Sequence, residues 1–223
     1  MEWNFPSAMP DSSALNASER KDETETMAAI LEVTDPYTEP TFPLMNRIQR
    51  SIWGVVYTLL FRPSPRPLHE WRSFLLRCFG AKVGRGVCVY GTAKIWAPWN
   101  LELEDYSSIG DDAICYSMAK ITLGEKAVVS QGSHLCTGTH DYTSSTFQLY
   151  ALPIAVGERA WVCAECFVGP GVSIGAGAVI AARSVVTKDA PEWMVCAGSP
   201  CRPIKPRVMR SASRAAEGER TGA

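Results

Sequence analysis

A repeat of six residues, beginning at Val83, limits what this chain can fold into more than any other feature. Its hexads start at 83, 89, 95, 103, 109, 115, 123, 129, 135, 156, 162, 168, 174, 180 and 186, and their first residue is Val, Ile or Leu except at Cys115. The fifth residue is small except at Trp99, and Gly often takes the second place, where we expect it to supply turn geometry. A strand period of two or a helix period of 3.6 does not fit this pattern. We predict short strands and turns, three to a triangular coil, stable only as a stack.

The residues that interrupt the repeat all fall at one corner of the predicted triangle. When the hexads are grouped in threes, the spare residues number two, two and fifteen, and they always lie between a third and a first hexad. The sequence therefore predicts one large loop, residues 141–155, on an edge of the third coil. Loops held by a rigid scaffold tend to carry function.

The segments outside the repeat differ from it in composition. Residues 1–41 are acidic and rich in Ser, Thr and Pro, which predicts a disordered tail, and residues 207–223 form a basic tail. Residues 42–80 carry two amphipathic stretches separated by the proline-rich segment 62–67, so two short α-helices should precede a repeat domain spanning 81–206. We expect these helices to pack on the main domain or on a neighbouring subunit. Attachment to a membrane surface is the alternative, because the first stretch mixes aromatic and basic residues.

Composition and cysteine context argue against several classes of protein. The formal net charge is −1 over 223 residues, so nothing favours nucleic acid as a partner. The longest apolar run, 52–61, is far shorter than the roughly 20 residues of a spanning helix, and no secretory signal is evident. We therefore expect a cytoplasmic protein with reduced cysteines. The CxxC of Cys163 and Cys166 has no second ligand pair at a suitable spacing, so no metal is expected.

One imidazole stands where the repeat meets the predicted loop. His140 follows LCTGT at the end of a predicted strand. A neutral imidazole there could accept the proton of a hydroxyl that attacks a thioester, and a thiolate leaving group makes a covalent enzyme intermediate unnecessary. Asp141 and Glu125 are both candidates to hold its tautomer, and the sequence does not choose between them. The alternative is an ordinary surface histidine with local hydrogen bonds.

Residues 44–207 resemble the hexapeptide-repeat acyltransferases, and in particular the colanic acid biosynthesis acetyltransferase group. The resemblance implies an all-β solenoid, a left-handed parallel β-helix of about five coils, which breaks the usual right-handed crossover rule. It also implies a homotrimer with active sites between subunits, acetyl-CoA as the donor and a sugar hydroxyl as the acceptor. The stretches that carry it are FRPSPRP, WRSFLLRCFGAKVG, KIWAPWNLELEDYSSIGD, SQGSHLCTGTHDY, FVGPGVSIGAGAVIAARSVVTKD and AGSPCRPIK.

The resemblance extends to individual residues. The histidine of the THD stretch corresponds to His140, which is similar to the family's catalytic base, with Asp141 beside it as a second catalytic candidate. Tyr116 and Ser117 are candidates to contact the acceptor, and because Ser117 and Ser199 stand where the family usually has Asn, the acceptor's identity stays open. The implied CoA-binding residues are Ala164, Ala182, Thr187, Lys188, Arg202 and Lys205. The alternatives are ordinary repeat packing for the two alanines and a solvated face for Lys188, Arg202 and Lys205.

The same fold allows two other functions. A metal-dependent hydratase resembling the γ-class carbonic anhydrases needs three converging histidines, and the repeat holds only His134 and His140. A non-catalytic scaffold or assembly protein would not need His140 at all. The resemblance favours an acetyl-CoA-dependent O-acetyltransferase of exopolysaccharide biosynthesis. We expect it in the cytoplasm, with the inner face of the membrane as its place if residues 44–61 make peripheral contact.

Overall fold

The computed structural model describes residues 41–143 and 145–209, so the predicted tails 1–41 and 207–223 lie almost wholly outside the described residues. From Lys82 the chain forms a parallel β-solenoid with three walls, as predicted. Wall A contains β1 Lys82–Val83, β4 Leu101–Leu103, β7 Ile121–Leu123, β12 Ile154–Val156 and β15 Ser173–Ile174. Wall B contains β2 Cys88–Val89, β5 Ser108–Ile109, β8 Val128–Val129, β13 Trp161–Val162, β16 Val179–Ile180 and β18 Met194–Gly198, followed by the antiparallel β19 Cys201–Pro206. Wall C contains β3 Lys94–Ile95, β6 Ile114–Tyr116, β9 His134–Cys136, β14 Phe167–Val168 and β17 Val185–Val186.

The solenoid has about six turns, slightly more than the five predicted. The sixth turn begins with a single bridge between Ile174 and Ala190 and continues in β18, which pairs with β16. Its residues do not keep the hexad pattern, so the periodicity alone could not reveal it. The turn ends where β19 folds back on β18 and pairs with its outer edge.

The hexads stack in the register that the period predicts. In wall B, Val89 pairs with Ile109, Ile109 with Val129, and Val162 with both Val129 and Ile180. These five side chains are the first residues of their hexads, and all are fully buried. Burying an aliphatic side chain of this size contributes about 1.5–3 kcal/mol, so the columns supply much of the folding free energy.

The glycines at the second hexad position have a different role from the one expected. Their backbone does not have positive φ; instead, a Cβ on Gly110 would lie 2.7 Å from the backbone nitrogen of Gln131, and one on Gly157 would lie 2.6 Å from that of Ala176. At most second positions Gly is therefore needed because the next coil passes too close for a side chain, whereas a Cβ on Gly169 would make an ordinary contact at 3.4 Å. The left-handed backbone falls on the fourth position of most hexads, at Gly86, Tyr106, Asp112, Lys126, Gly132, Arg159, Glu165, Gly171, Gly177 and Arg183.

The chain departs from the regular coil at the corner between walls C and A. The first coil inserts a 3₁₀ turn there, Pro98–Asn100, and the third inserts a β-hairpin formed by β10 Gly138–His140 and β11 Leu149–Ala151. Side-chain hydroxyls replace the missing ladder bonds at this corner. The Thr137 Oγ1 donates to the Tyr116 carbonyl at 2.7 Å and accepts from the Ala119 N–H at 3.0 Å.

Two helices precede the solenoid, as predicted: α1 Leu44–Val56, continued by a π-helical turn Tyr57–Phe61, and α2 His69–Cys78. They lie across the open end, where the first strand of each wall has no neighbouring strand on one side. An unpaired strand edge leaves carbonyl groups without partners. Within residues 41–143 and 145–209, no helix combines the length and the hydropathy needed to cross a membrane.

Each wall receives a side-chain donor from this helical cap. In wall C the Ile95 carbonyl accepts from the Trp53 indole at 2.7 Å, and in wall B the Val89 carbonyl accepts from the Arg72 guanidinium at 2.5 Å. In wall A the Val83 carbonyl accepts from Arg77 at 3.1 Å. Arg72 is completely buried and also donates to backbone carbonyls of the linker between the helices. The helical segment therefore closes the open end of all three sheets.

Candidate active site

The predicted loop 141–155 is mostly a hairpin that projects from the corner between walls C and A. β10 and β11 pair antiparallel with His140 opposite Leu149, and the chain then returns to wall A at Ile154. Leu149 and Ala151 belong to a small apolar cluster with Met118, which anchors the hairpin on the end of the second coil. The position of His140 is therefore set by a packed hairpin strand rather than by a free loop.

His140 is exposed, and the carbonyl of Phe147 fixes its orientation. The Nδ1 atom lies 2.9 Å from the Phe147 carbonyl oxygen, and the two rings stack with centroids 4.4 Å apart and planes 13° from parallel. A carbonyl oxygen can only accept a hydrogen bond, so in the neutral imidazole the proton belongs on Nδ1. The Nε2 atom is then the basic nitrogen.

The contact at Nδ1 comes from the Phe147 carbonyl rather than from Asp141 or Glu125, the two candidates to hold the imidazole tautomer. The Asp141 carboxylate accepts hydrogen bonds from the Thr143 N–H at 2.9 Å and from its hydroxyl at 2.5 Å, within the hairpin tip. Glu125 forms an ion pair with Lys126. Asp141 therefore helps to shape the tip that holds Phe147 beside His140.

Phe147 was missed by the sequence analysis. Its contribution comes from a backbone carbonyl and a ring, and its backbone φ is 49°, a conformation that non-glycine residues adopt infrequently. The one available signal was an aromatic residue in an otherwise polar stretch of the loop. No side-chain pattern could have shown that its carbonyl points at the imidazole.

Aromatic rings form a column on the outer face of wall C. Tyr116 lies 5.6 Å from Trp96 and 6.5 Å from His134, and His134 lies 5.5 Å from Phe167. A Cβ on Gly138 would lie 3.1 Å from the Tyr116 ring, so the column reaches the base of the hairpin. Burial raises the pKa of Tyr116 and lowers the pKa of His134. The His134 Nε2 is buried without a hydrogen-bond partner among the described residues.

Ser117 follows Tyr116 but faces the interior. Its hydroxyl donates to the Ala97 carbonyl at 2.9 Å and accepts from the Ala97 N–H at 3.0 Å, and the residue is completely buried. The structure therefore places Ser117 as a bridge between coils, whereas Tyr116 remains partly exposed at the surface.

The predicted CoA-binding residues occupy two corners of the prism and one edge strand. Ala164 and Ala182 stack one coil apart at the corner between walls B and C, where the Arg183 N–H donates to the Ala164 carbonyl at 3.0 Å. Thr187 and Lys188 are exposed at the corner between walls C and A, the same corner as the hairpin. Arg202 and Lys205 are exposed on β19. One protomer therefore does not gather all of them around His140.

The described part of the chain offers little for a metal. It contains no group of three or more His, Cys, Asp or Glu side chains that could hold a metal ion. The buried thiols belong to the packed columns: Cys115 is the first residue of its hexad, and burial raises its pKa to about 12. Two surface grooves, around Glu102 on wall A and around Asp111 on wall B, lie away from His140.

The structural neighbours of this parallel β-solenoid are acetyltransferases with a left-handed β-helix. No protein-family model matches the chain. It is 46% identical over 163 residues, covering 73% of this chain and 90% of the relative, to the protein named colanic acid biosynthesis acetyltransferase WcaF in Escherichia coli strain K12. The chain therefore belongs to the hexapeptide-repeat acetyltransferases, and its enzyme class is acetyltransferase.

Solved structures agree with this assignment at the level of the fold. A maltose O-acetyltransferase from Clostridium difficile 630 is 25% identical, with a TM-score of 0.68 that covers 75% of this chain and 90% of that one. A galactoside acetyltransferase in complex with coenzyme A is 24% identical, with a TM-score of 0.67 that covers 83% of this chain and 91% of that one.

Proposed function

We propose that this protein is an O-acetyltransferase that moves an acetyl group from acetyl-CoA to a sugar hydroxyl, with His140 as the general base. The observation that carries the proposal is the imidazole on its hairpin, with Nδ1 held by the Phe147 carbonyl and Nε2 left as the basic nitrogen. The relative named for colanic acid biosynthesis and the two structures named for maltose and galactoside acetylation support a sugar acceptor.

The reaction needs a single proton acceptor. The acceptor hydroxyl gives its proton to the His140 Nε2 while its oxygen attacks the thioester carbonyl carbon. The carbon–sulfur bond then breaks, and the departing thiolate of CoA takes the proton back from the imidazolium. The Phe147 carbonyl stabilises the imidazolium through Nδ1–H, and Asp141 supports the hairpin tip and adds a negative charge nearby. General base catalysis of this kind contributes roughly 10²- to 10⁴-fold in rate.

The active site in this proposal lies between subunits of a homotrimer. The candidate residues fall on two different corners of one protomer, and a trimer brings the hairpin corner of one subunit against the corner of Ala164 and Ala182 in the next. Small side chains at that second corner leave room for the pantetheine arm. Thr187 and Lys188 would line the entrance, and the cations of Arg202 and Lys205 would favour the phosphates of CoA.

The acceptor in this proposal is a building block of an exopolysaccharide. Tyr116, at the foot of the hairpin, would contact the sugar, while the buried Ser117 holds the strand beneath it. A repeat unit or its lipid-linked precursor fits this role, and acetyl-CoA as the donor places the reaction in the cytoplasm. A non-catalytic scaffold of the same fold is the second candidate, and it would make no use of the exposed imidazole.

The experiment that tests the proposal measures thiol release from acetyl-CoA against a panel of sugars and polysaccharide intermediates. We expect acceptor-dependent release and a product whose mass has increased by one acetyl group in an ester that mild base removes. A base-stable amide would contradict O-transfer. Intact assembled protein that acetylates none of the acceptors would favour the scaffold.

A further inference from the structure

The helical cap over residues 41–80 has two faces of opposite character. Its inner face closes the solenoid, with Trp53, Phe61, Leu75 and Leu76 buried in the core. Its outer face exposes large apolar side chains at 38–69% of their surface, and we call this surface the cap face. It consists of Leu44, Met45, Ile48, Ile52, Val55, Leu59, Leu60, Leu68, Trp71 and Phe74.

The cap face is continuous rather than scattered. Ile48, Ile52, Val55 and Leu59 follow one another at intervals of four, three and four residues, which places them on one stripe along α1 and its π-helical continuation. On α2, Trp71 and Phe74 stack with ring centroids 5.8 Å apart and are both exposed. A row of exposed apolar side chains such as this one marks a surface that meets a partner or a membrane.

The charge of the helical cap is mainly positive. Residues 41–80 contain six arginines and one acidic residue, Glu70, which is exposed between Leu68 and Trp71. Arg66 is paired with Asp111, and Arg50 lies over the rings of Phe42 and Trp96. Arg47 and Arg62 are exposed and flank the stripe. An amphipathic helix with cations beside an exposed apolar stripe is suited to the surface of an anionic bilayer.

We propose that the cap face docks on an anionic lipid bilayer, with α1 lying in the plane of the interface. A second copy fits less well, because two cap faces in contact would bring like charges together. The cap closes one end of the solenoid, so its outer face points away from the three walls that carry the coils. If the trimer proposed above has parallel solenoids, its three cap faces lie on one side and bind together. The docking itself does not depend on the acetyl transfer.

The test is flotation of the full chain with phosphatidylcholine vesicles, with and without phosphatidylglycerol. We expect binding to the anionic vesicles that weakens as salt rises, and little binding to the neutral ones. The double variant Ile52→Asp/Leu59→Asp should bind at least tenfold more weakly, and Arg47→Glu/Arg62→Glu should lose the preference for anionic lipid. The matched control is Val208→Asp, at a position that is 86% exposed and outside the cap, and it should bind like the wild type.

Other occupants of the cap face give different results. If the full chain does not float and a variant lacking residues 1–40 does, the acidic segment covers the face, and the proposal fails. It fails equally if Ile52→Asp abolishes self-association of the protein rather than lipid binding. All of the substituted side chains are exposed, so melting temperature and acetylation of a soluble acceptor should stay at the wild-type level. If the wild type does not acetylate the soluble acceptor, the proposed function is contradicted, whereas the lipid-binding result is unaffected.

Discussion

The stacked coils and the hairpin of residues 138–151 pair their backbones in different ways, although they are continuous in the chain. Apart from β18, a coil strand is two or three residues long and takes its backbone partners from the coils above and below, as β8 does from β5 and β13. The hairpin instead pairs β10 with β11 and satisfies its backbone within itself. The coils bury their aliphatic columns, whereas the hairpin exposes His140.

This difference separates stability from chemistry. A coil residue is bound by its neighbours in the column, so a change there should alter the free energy of unfolding. A residue at the exposed tip of the hairpin has few such neighbours, so a change there should alter the rate of acetyl transfer and leave the free energy of unfolding nearly unchanged. Four substitutions test this separation, in order of decreasing effect.

The first substitution removes the proposed base. In His140→Asn we expect kcat to fall by roughly 10²- to 10⁴-fold, because an amide cannot accept a proton at neutral pH. The melting temperature should not change, since the side chain is exposed. Steady-state kinetics and thermal unfolding check both expectations. Ser145→Ala, at an exposed position of the same tip, is the control, and wild-type activity in His140→Asn would remove His140 as the base.

The second substitution creates a cavity in one of the buried aliphatic columns. Ile109 is fully buried between Val89 and Val129, so Ile109→Ala should lose about 2–5 kcal/mol of unfolding free energy. Activity per folded molecule should stay close to that of the wild type. Denaturant unfolding gives the measurement, and Ser108→Ala, on the partly exposed side of the same strand, is the control. A loss of activity larger than the loss of folded protein would show that the two regions are coupled.

The third substitution removes the ring beside the imidazole while keeping the backbone carbonyl. A stacked aromatic pair contributes about 0.5–1.5 kcal/mol, so Phe147→Leu should lower kcat by about 2- to 10-fold with little change in KM. Tyr142→Leu, an exposed aromatic of the same tip, should have a smaller effect. A fall as large as that of His140→Asn would give the ring more than a positioning role.

The sequence predicts the coils better than the hairpin, because side-chain periodicity reports on side-chain packing. The hexad starts at Val89, Ile109 and Val129 are direct partners in the structure, as the period required. The contacts that escaped are those made by backbone atoms. Neither the Phe147 carbonyl at His140 nor the Ile95 carbonyl at the Trp53 indole leaves a trace in a residue pattern.

Arg72 is another residue whose environment the sequence pattern did not predict. A charged residue in an amphipathic helix is normally expected in water, yet its guanidinium is buried because several carbonyls at the open end of wall B and in the linker need donors. Most of the second-position glycines are similar, since the spacing between coils explains them and turn geometry does not. The roles of His140, Tyr116 and the CoA-binding residues stay predictions until the kinetics are measured.

The fourth substitution, His134→Phe on wall C, has the smallest expected effect, and that effect depends on pH. Burial between Tyr116 and Phe167 lowers the pKa of His134 below its ordinary 6.5. Between these two pKa values the unfolded chain binds more protons than the folded one, so the free energy of unfolding falls as the pH drops below 6.5 and is unaffected above it. His134→Phe continues the column of rings and removes this dependence.

Denaturant unfolding of wild type and His134→Phe on both sides of neutrality measures the difference. The variant should lose less stability than the wild type between about pH 7.5 and about pH 5.5, the range in which a histidine changes its charge. Ser145→Ala, at an exposed site without a titratable side chain, is the control, and its acid loss should match the wild type. Equal acid losses in wild type and His134→Phe would mean that the wall tolerates a charged imidazole. The buried, unpartnered Nε2 would then have to gain water or a partner on protonation.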